Sequence, residues 1–271
     1  MGRRLRNGGK KNVLGILVDS IDYEATLEFV FDAARRRQGA AISALAVHGV
    51  MTGAFNPEHR YRLNHFDLIV PDGQPVRWVL NYLYQADLAD RVYGPTLTLK
   101  VCERAANEGA SIYLYGSTLA TLTSLEASLV RRFPKLTIAG VEPSKFGRLT
   151  SDEKDEVAKR VESSGASIVL LGLGCPRQEI FAFEFRDVLP MPIIAVGAAF
   201  PFIAGLIPQA PAWMQARGLE WLFRLSREPR RLWRRYIYLN PTYLILVALQ
   251  AANILRFSTT GFSPAREELF G

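Results

Sequence analysis

The run Phe66-Asp67-Leu68-Ile69-Val70-Pro71-Asp72-Gly73 sets an acid where a sheet protein can use one. Phe66, Leu68, Ile69 and Val70 form the short apolar stretch that a buried parallel strand requires, and Pro71 and Gly73 end it abruptly. Beyond the turn, Val76, Val79, Leu80 and Leu83 fall on one face of a helix over 76–84. A carboxylate in a strand-to-helix turn of an open α/β sheet faces the ligand crevice, where it can take a proton from an attacking hydroxyl. Taken alone, Pro-Asp-Gly reads more simply as a turn or a helix cap.

Two further strand-to-helix turns change that weighting. Tyr115-Gly116-Ser117-Thr118 and Gly172-Leu173-Gly174-Cys175-Pro176-Arg177-Gln178-Glu179 are both glycine-rich. Glycine lets backbone N–H groups approach a phosphate, and the dipole of the following helix favours an anion there. Three such turns at one sheet edge, Asp72 among them, point to a nucleotide-type ligand. Neither glycine run fits G-x-G-x-x-G, and no acid is placed to hold a ribose, so an NAD-linked oxidoreductase is disfavoured. The Lys-Ser/Thr ending of a P-loop is missing as well.

Metal chemistry has little to build on in the sequence. There is no Asp-x-Asp pair; Asp87 and Asp90, for example, stand three apart with Leu and Ala between. Divalent ions on diphosphates take oxygen ligands from one or two carboxylates, so a mechanism without metal or other cofactor is expected. Three scattered histidines are too few for a histidine-based site. Cys102 and Cys175 have no metal spacing and imply a reduced setting.

The elements that must position these turns alternate along the chain. Strands are expected over 12–18, 41–47, 63–70, 111–115, 137–141, 167–173 and 192–196. Helices are expected over 23–37, around Met51, and over 76–84, 97–109, 116–133, 151–163 and 176–185. That alternation predicts a Rossmann-like parallel sheet with helices on both faces. With 271 residues, 49% of them hydrophobic, the chain can bury a large core. It divides into a frayed basic tail (1–11), a catalytic domain (12–207), a helical appendage (208–256) and a loose tail (257–271). The apolar run 13–18 is too short for a signal-peptide core.

The appendage carries much of the net charge of +7. Arg217, Arg224, Arg227, Arg230, Arg231, Arg234 and Arg235 stand against Glu220 and Glu228 alone, with Trp213, Trp221, Phe223, Trp233 and Tyr236 interleaved. Two helices broken at Pro229 are expected, 212–226 and 230–238, with arginine on one side and aromatics on the other. Such faces suit an anionic membrane surface; the alternative is a solvated basic face packed on the main domain. No nucleic-acid reading motif accompanies the charge. The nearly uncharged run 240–255 is shorter than a membrane span and is expected to lie in, or dock against, a surface.

Eight blocks in register then resemble a known family. They are Val47-His48-Gly49-Val50-Met51, Pro71-Asp72-Gly73-Gln74-Pro75, Arg91-Val92-Tyr93-Gly94-Pro95, Gly172 to Glu179, Val196-Gly197-Ala198-Ala199-Phe200, Gln209 to Gln215, Gly218 to Leu225 and Arg227 to Tyr236. Together they resemble the WecG/TagA/CpsF family of bacterial glycosyltransferases from about Asn12 to Leu249.

The resemblance implies an inverting, metal-independent transfer of a sugar from a UDP-sugar to a polyprenyl-diphosphate-linked acceptor. It implies action as a peripheral protein at the cytoplasmic face of the inner membrane, in cell-surface polysaccharide synthesis, with exopolysaccharide favoured. Asp72 would be the base and Gln178 would contact the nucleotide. The arginine-rich appendage would dock on the membrane and close the site over the diphosphate. Gly116, Ser117 and Gly174 are candidates for the leaving UDP, Arg224, Arg230 and Arg231 for its charge, and His48, Gln74 and Arg77 for substrate selection. Two departures stand out. Ala46-Val47-His48 replaces a Thr-x-Asn found in some members, leaving open whether His48 takes over an acceptor-side role. Pro201-Phe202-Ile203 replaces Asp-Phe-His. The donor sugar stays open between glucose and N-acetylmannosamine, and oligomer formation is possible. A non-catalytic membrane-surface nucleotide-binding module is the alternative.

Overall fold

The structure is a computed structural model describing residues 7–271. Arg3, Arg4 and Arg6 of the expected tail lie outside the described residues. The rest of that stretch is not frayed: β1 (Asn7–Val13) pairs antiparallel with β2 (Ile16–Ile21) in a separate two-stranded sheet. The single strand expected over 12–18 is therefore two strands. Leu14 and Gly15 both take positive φ (52° and 89°) in a two-residue turn whose twist suits a hairpin. Leu14 hides the signal, because a buried leucine is an unusual residue for that backbone.

The main sheet has six parallel strands: β3 (Ala40–Leu45), β4 (Leu68–Pro71), β5 (Ser111–Tyr115), β6 (Thr137–Glu142), β7 (Ile168–Leu171) and β8 (Pro192–Ala195). Their spatial order is β4-β3-β8-β7-β5-β6. β3, β4, β7 and β8 are buried along their whole length, which is why they read as apolar runs without alternation. Residues on one face, such as Ile42, Leu170 and Ile194, pack under α1 (Tyr23–Arg35), α5 (Gly94–Glu108) and α6 (Leu119–Arg132). The opposite face, with Leu45, Val169 and Ile193, packs under α2 (Val47–Phe55), α4 (Gln74–Tyr84), α7 (Ser151–Ser163) and α8 (Arg177–Phe185). Asp19 of the hairpin accepts the Ile69 N–H at 2.8 Å and so covers the β4 edge.

Between α2 and β4 stands a helix that the apolar reading of 63–70 missed. α3 (Pro57–Asn64) starts at Asn56, whose side chain accepts the His59 N–H at 2.9 Å, with Pro57 as its first residue. α7 begins in a capping box: the Thr150 hydroxyl accepts the Glu153 N–H, and the Glu153 carboxylate accepts the Thr150 N–H.

After β8, a short α9 (Ala199–Ile203) leads to four helical pieces: α10 (Ala212–Ala216), α11 (Glu220–Arg227), α12 (Pro229–Arg234) and α13 (Asn240–Ala251). One π-helical turn, Arg235–Leu239, joins the last two. The long helix expected over 212–226 is interrupted where Gly218 takes φ +69° against Trp78; a Cβ there would lie 2.5 Å from the indole ring. α13 docks on the main domain: Gln250 donates to the Asn12 carbonyl (2.8 Å) and accepts from Leu14 N–H (3.0 Å).

The tail beyond 256 is not loose either. Asn12 and Asn64 donate to the carbonyls of Phe257 and Thr259 at 2.8 and 2.7 Å. Phe270 bridges antiparallel to Arg148, and Leu269 is buried. Its composition is polar, but its backbone groups find partners on the domain, and those partners cannot be read from the tail itself.

Candidate active site

In a parallel sheet every strand ends at the same edge, and ligands bind where the winding reverses. Here the chain winds outward from β3 to β4, and the later strands build on the other side of β3 from β8 onward. The turns after β3, β4, β7 and β8 therefore meet at one crevice. Two adjoining hollows occupy it, of about 680 and 1330 Å³ including their open mouths. Ala46, His48, Asp72 and Arg224 line both.

Asp72 sits at the junction, half-buried. Its Oδ1 accepts the Gly94 N–H at 2.7 Å, and its own N–H donates to the Leu45 carbonyl at 3.2 Å. Gly94 starts α5 so close to β8 that a Cβ would lie 3.1 Å from the Val196 carbonyl oxygen, which accounts for glycine there. Burial raises the Asp72 carboxyl from 3.8 to about 6, against the opposing pull of Arg91, the Gly94 N–H and Arg224. A carboxylate with that affinity for a proton is a better base than a solvated aspartate and is still ionised at neutral pH.

A buried ion pair frames the first hollow. Arg91 donates to Glu220 Oε2 at 2.7 Å, Tyr93 donates to Oε1 at 3.1 Å, and the Arg91 guanidinium lies 4.0 Å from the Tyr93 ring. This network joins the loop between α4 and α5 to α11, so the appendage forms one wall of the crevice. Trp221, Tyr236, Leu239 and Asn240 complete that wall. None of these was singled out from the sequence as a site residue. Arg91 and Glu220 fall within the family-like blocks, but their 129-residue separation hides the pairing.

The expected site residues divide on inspection. Asp72, His48, Gln74 and Arg224 meet at the first hollow, and Ser117, Gly174, Gln178 and Arg231 line the second. Gln74 Oε1 is buried with no partner among the described residues, and its Nε2 donates to Asp90 at 3.3 Å. The Gln178 side chain is internally engaged: Oε1 accepts the Gly174 N–H at 3.2 Å, and Nε2 donates to Glu179 at 2.8 Å. It thus shapes the glycine turn as well as facing the hollow.

Three residues fall outside both hollows. Gly116 packs on Gly172, where a Cβ would come within 3.0 Å of backbone. Arg77 donates to the carbonyls of Leu88 and Ala89, tying down the loop before Arg91. Arg230 is exposed on α12. The helix after Gly116 also begins later than expected, at Leu119, with the Thr118 hydroxyl accepting the Thr121 N–H. Arg224 presents a buried Nε with no partner among the described residues, 5.6 Å from guanidinium carbon to the Phe202 ring centre.

An acid held by a helix N-terminus, glycine turns across a crevice and an arginine reaching over it suit transfer from an activated anionic leaving group. The chain matches the family model described as "Glycosyl transferase WecG/TagA/CpsF family" over residues 11–256. That match takes in every strand of the main sheet, both hollows and the appendage, and the chain belongs to the WecG/TagA/CpsF family of glycosyltransferases.

Proposed function

We propose that this glycosyltransferase is an inverting, metal-independent enzyme that moves a sugar from a UDP-sugar to a polyprenyl-diphosphate-linked acceptor. The observation that carries this reading is Asp72 at the junction of the hollows, with its proton affinity raised and Arg224 reaching over it. In that arrangement the carboxylate takes the acceptor hydroxyl proton as the oxygen attacks the anomeric carbon from the face opposite UDP. The carbon–oxygen bond to UDP breaks, and the anomeric configuration inverts.

The second hollow suits the donor. Its floor is the turn Gly172–Cys175, whose glycines leave room for phosphate oxygens, and Ser117, Gly197 and Arg231 surround it. Arg224 is the natural group to meet the growing charge on the leaving diphosphate. The nearby carboxylates have partners of their own, Glu220 in Arg91 and Tyr93, and Oε1 of Glu179 in Gln178 and Ser43. The first hollow, with its Trp221 and Tyr236 wall, suits the acceptor sugar, and His48 and Gln74 are placed to contact its hydroxyls.

Among the described residues no helix is long and apolar enough to cross a membrane. The lipid acceptor is reached instead by the appendage, residues 208–256, docked peripherally on the cytoplasmic face of the inner membrane. The exposed Trp213, Trp233, Ile237, Tyr238 and Leu244 beside exposed Arg227, Arg230 and Arg234 support this. Exopolysaccharide assembly is the favoured setting.

A panel of UDP-sugars with a short polyprenyl-diphosphate-linked sugar acceptor tests the reading by UDP release. One donor should turn over, with inversion in the product, and Asp72→Asn should lose that turnover while still binding UDP. Binding of UDP without release from any donor would instead favour a non-catalytic nucleotide-binding module.

A further inference from the structure

Beside the donor turn lies a group of side chains to which the transfer reaction assigns no chemical step. His59 of α3, Cys175 of the turn and Glu179 of α8 bring one nitrogen, one sulfur and one oxygen within 4.8 Å of one another. His59 is 2% exposed and Glu179 fully buried. Both ring nitrogens of His59 and Oε2 of Glu179 have no hydrogen-bond partner among the described residues. Protein interiors rarely leave three polar atoms so close together unsatisfied, and an ion or a water is the usual explanation.

The surroundings favour a cation. Arg62, whose positive charge acts on His59, is paired with Glu184 at 3.4 Å and Glu268 at 4.0 Å. Glu179 Oε1 accepts from Gln178 and Ser43, which fixes the carboxylate while Oε2 stays open. Those partners are what a buried ligand carboxylate requires.

We propose that His59, Cys175 and Glu179 form a binding site for a borderline divalent cation of the zinc type, which staples the donor turn to α3. Imidazole, thiolate and carboxylate are the zinc donor set, and a fourth position stays open to water from the hollow. Bonds of about 2.0–2.3 Å in a tetrahedron set ligand atoms roughly 3.4–3.7 Å apart, so the three groups draw together by about 1 Å. Binding moves the Cys175 thiol proton to solvent, and thiolate and carboxylate together offset the ion's two charges. Cys175 and Glu179 also line the edge of the donor hollow, and the site takes no part in proton removal at Asp72.

Cobalt(II) is the probe, because a thiolate–cobalt charge-transfer band reports sulfur ligation without any reference to activity. Full-length protein, stripped of metal and then titrated, should take up one cobalt per chain, show the band, and melt at a higher temperature. Zinc should displace the cobalt. Cys175→Ser should abolish the band and His59→Ala weaken uptake at least tenfold, whereas Cys102→Ser, altering the other cysteine, should change neither. Absence of the band in the wild-type protein overturns the proposal whatever the variants do. So does a band that survives Cys175→Ser or uptake unaltered by His59→Ala, leaving a buried water as the occupant.

Discussion

The sheet and the appendage supply opposite halves of one site by different physical means. Strands β3, β4, β7 and β8 are buried throughout, so the turns at their ends are fixed by packing on both faces. Across residues 212–251, by contrast, only Leu232, Tyr236 and Tyr243 are buried among the described residues. That layer is tied to the domain by Tyr243, Leu239, Leu246 and Val247 on one edge of the core and by polar contacts, chiefly Arg91 and Tyr93 on Glu220. Asp72 is thus positioned by the scaffold itself, whereas Arg224 is positioned only while the appendage stays docked. A protein that must exclude water from a reacting diphosphate and still admit a lipid-borne acceptor gains from that division.

Side-chain truncation should expose the contrast most strongly. Leu170, in the middle of β7 with no exposure, should cost about 2–5 kcal/mol when changed to alanine. Leu222 of α11 is 45% exposed, and the same change there should fall within about 0.5 kcal/mol. Urea unfolding of the two variants measures the difference, and equal losses would mean that the appendage belongs to the same cooperative core.

The next effect in size belongs to the scaffold's acid. Asp72→Asn should lower turnover by roughly 10² or more, the scale for losing a general base. In the wild-type protein, kcat/KM should fall as pH drops through about 6, where the carboxyl takes up its proton. Stability should run the other way. The folded-state value lies above the usual 3.8, so folding takes up a proton between about pH 4 and 6, and stability falls as pH rises through that window. Near pH 7.5, Asp72→Asn should be at least as stable as the wild type, since the amide oxygen can still accept the Gly94 N–H. A less stable Asn variant would show that the charge is not carried at a cost.

On the appendage side, Arg224→Ala should lower kcat/KM about tenfold or more with a soluble acceptor, the range for losing one charge-assisted contact. Arg230→Ala should leave that value unchanged, because Arg230 does not line either hollow. Equal losses in the two would undo the assignment of Arg224 to the donor.

How much of this was legible in the sequence follows the same division. The parallel strands read clearly, because burial on both faces leaves an apolar run that little else produces. Asp72 and the glycine turns were visible for the same reason: they punctuate those runs. The hairpin was not, since Leu14 stands where glycine or asparagine would have announced a turn. α3 was hidden because Leu63 and Phe66 extend the apolar run of β4 backward, although Asn56-Pro57 carries a helix start. Arg91, Tyr93 and Glu220 escaped singling out because a buried ion pair is a property of two distant segments, and neither segment signals the other. The tail beyond 256 misled by its composition, since polar loops that bond a neighbouring backbone look like polar loops that do not.

The smallest expected effects test what covers the outer face of the appendage. Arg227, Arg230 and Arg234 are exposed there, while Arg231 is drawn to Glu228 at 2.5 Å and is already partly neutralised. Each free arginine near an anionic leaflet should contribute on the order of 1 kcal/mol, and salt should screen that contribution over about 10 Å at 0.1 M. Trp233, Ile237, Tyr238 and Leu244 lie exposed on the same stretch and add apolar anchoring that salt leaves alone. Sedimentation with vesicles containing anionic lipid should therefore weaken, without vanishing, as salt rises, and neutral vesicles should bind less. Arg230→Gln should weaken binding several-fold at low salt and much less at high salt, with no change in transfer to a soluble acceptor. Arg231→Gln should do less, because its charge is shared with Glu228. If instead Arg230→Gln binds vesicles as the wild type does at every salt concentration, the arginine face is merely solvated. The appendage would then meet its lipid acceptor through its aromatic side chains alone.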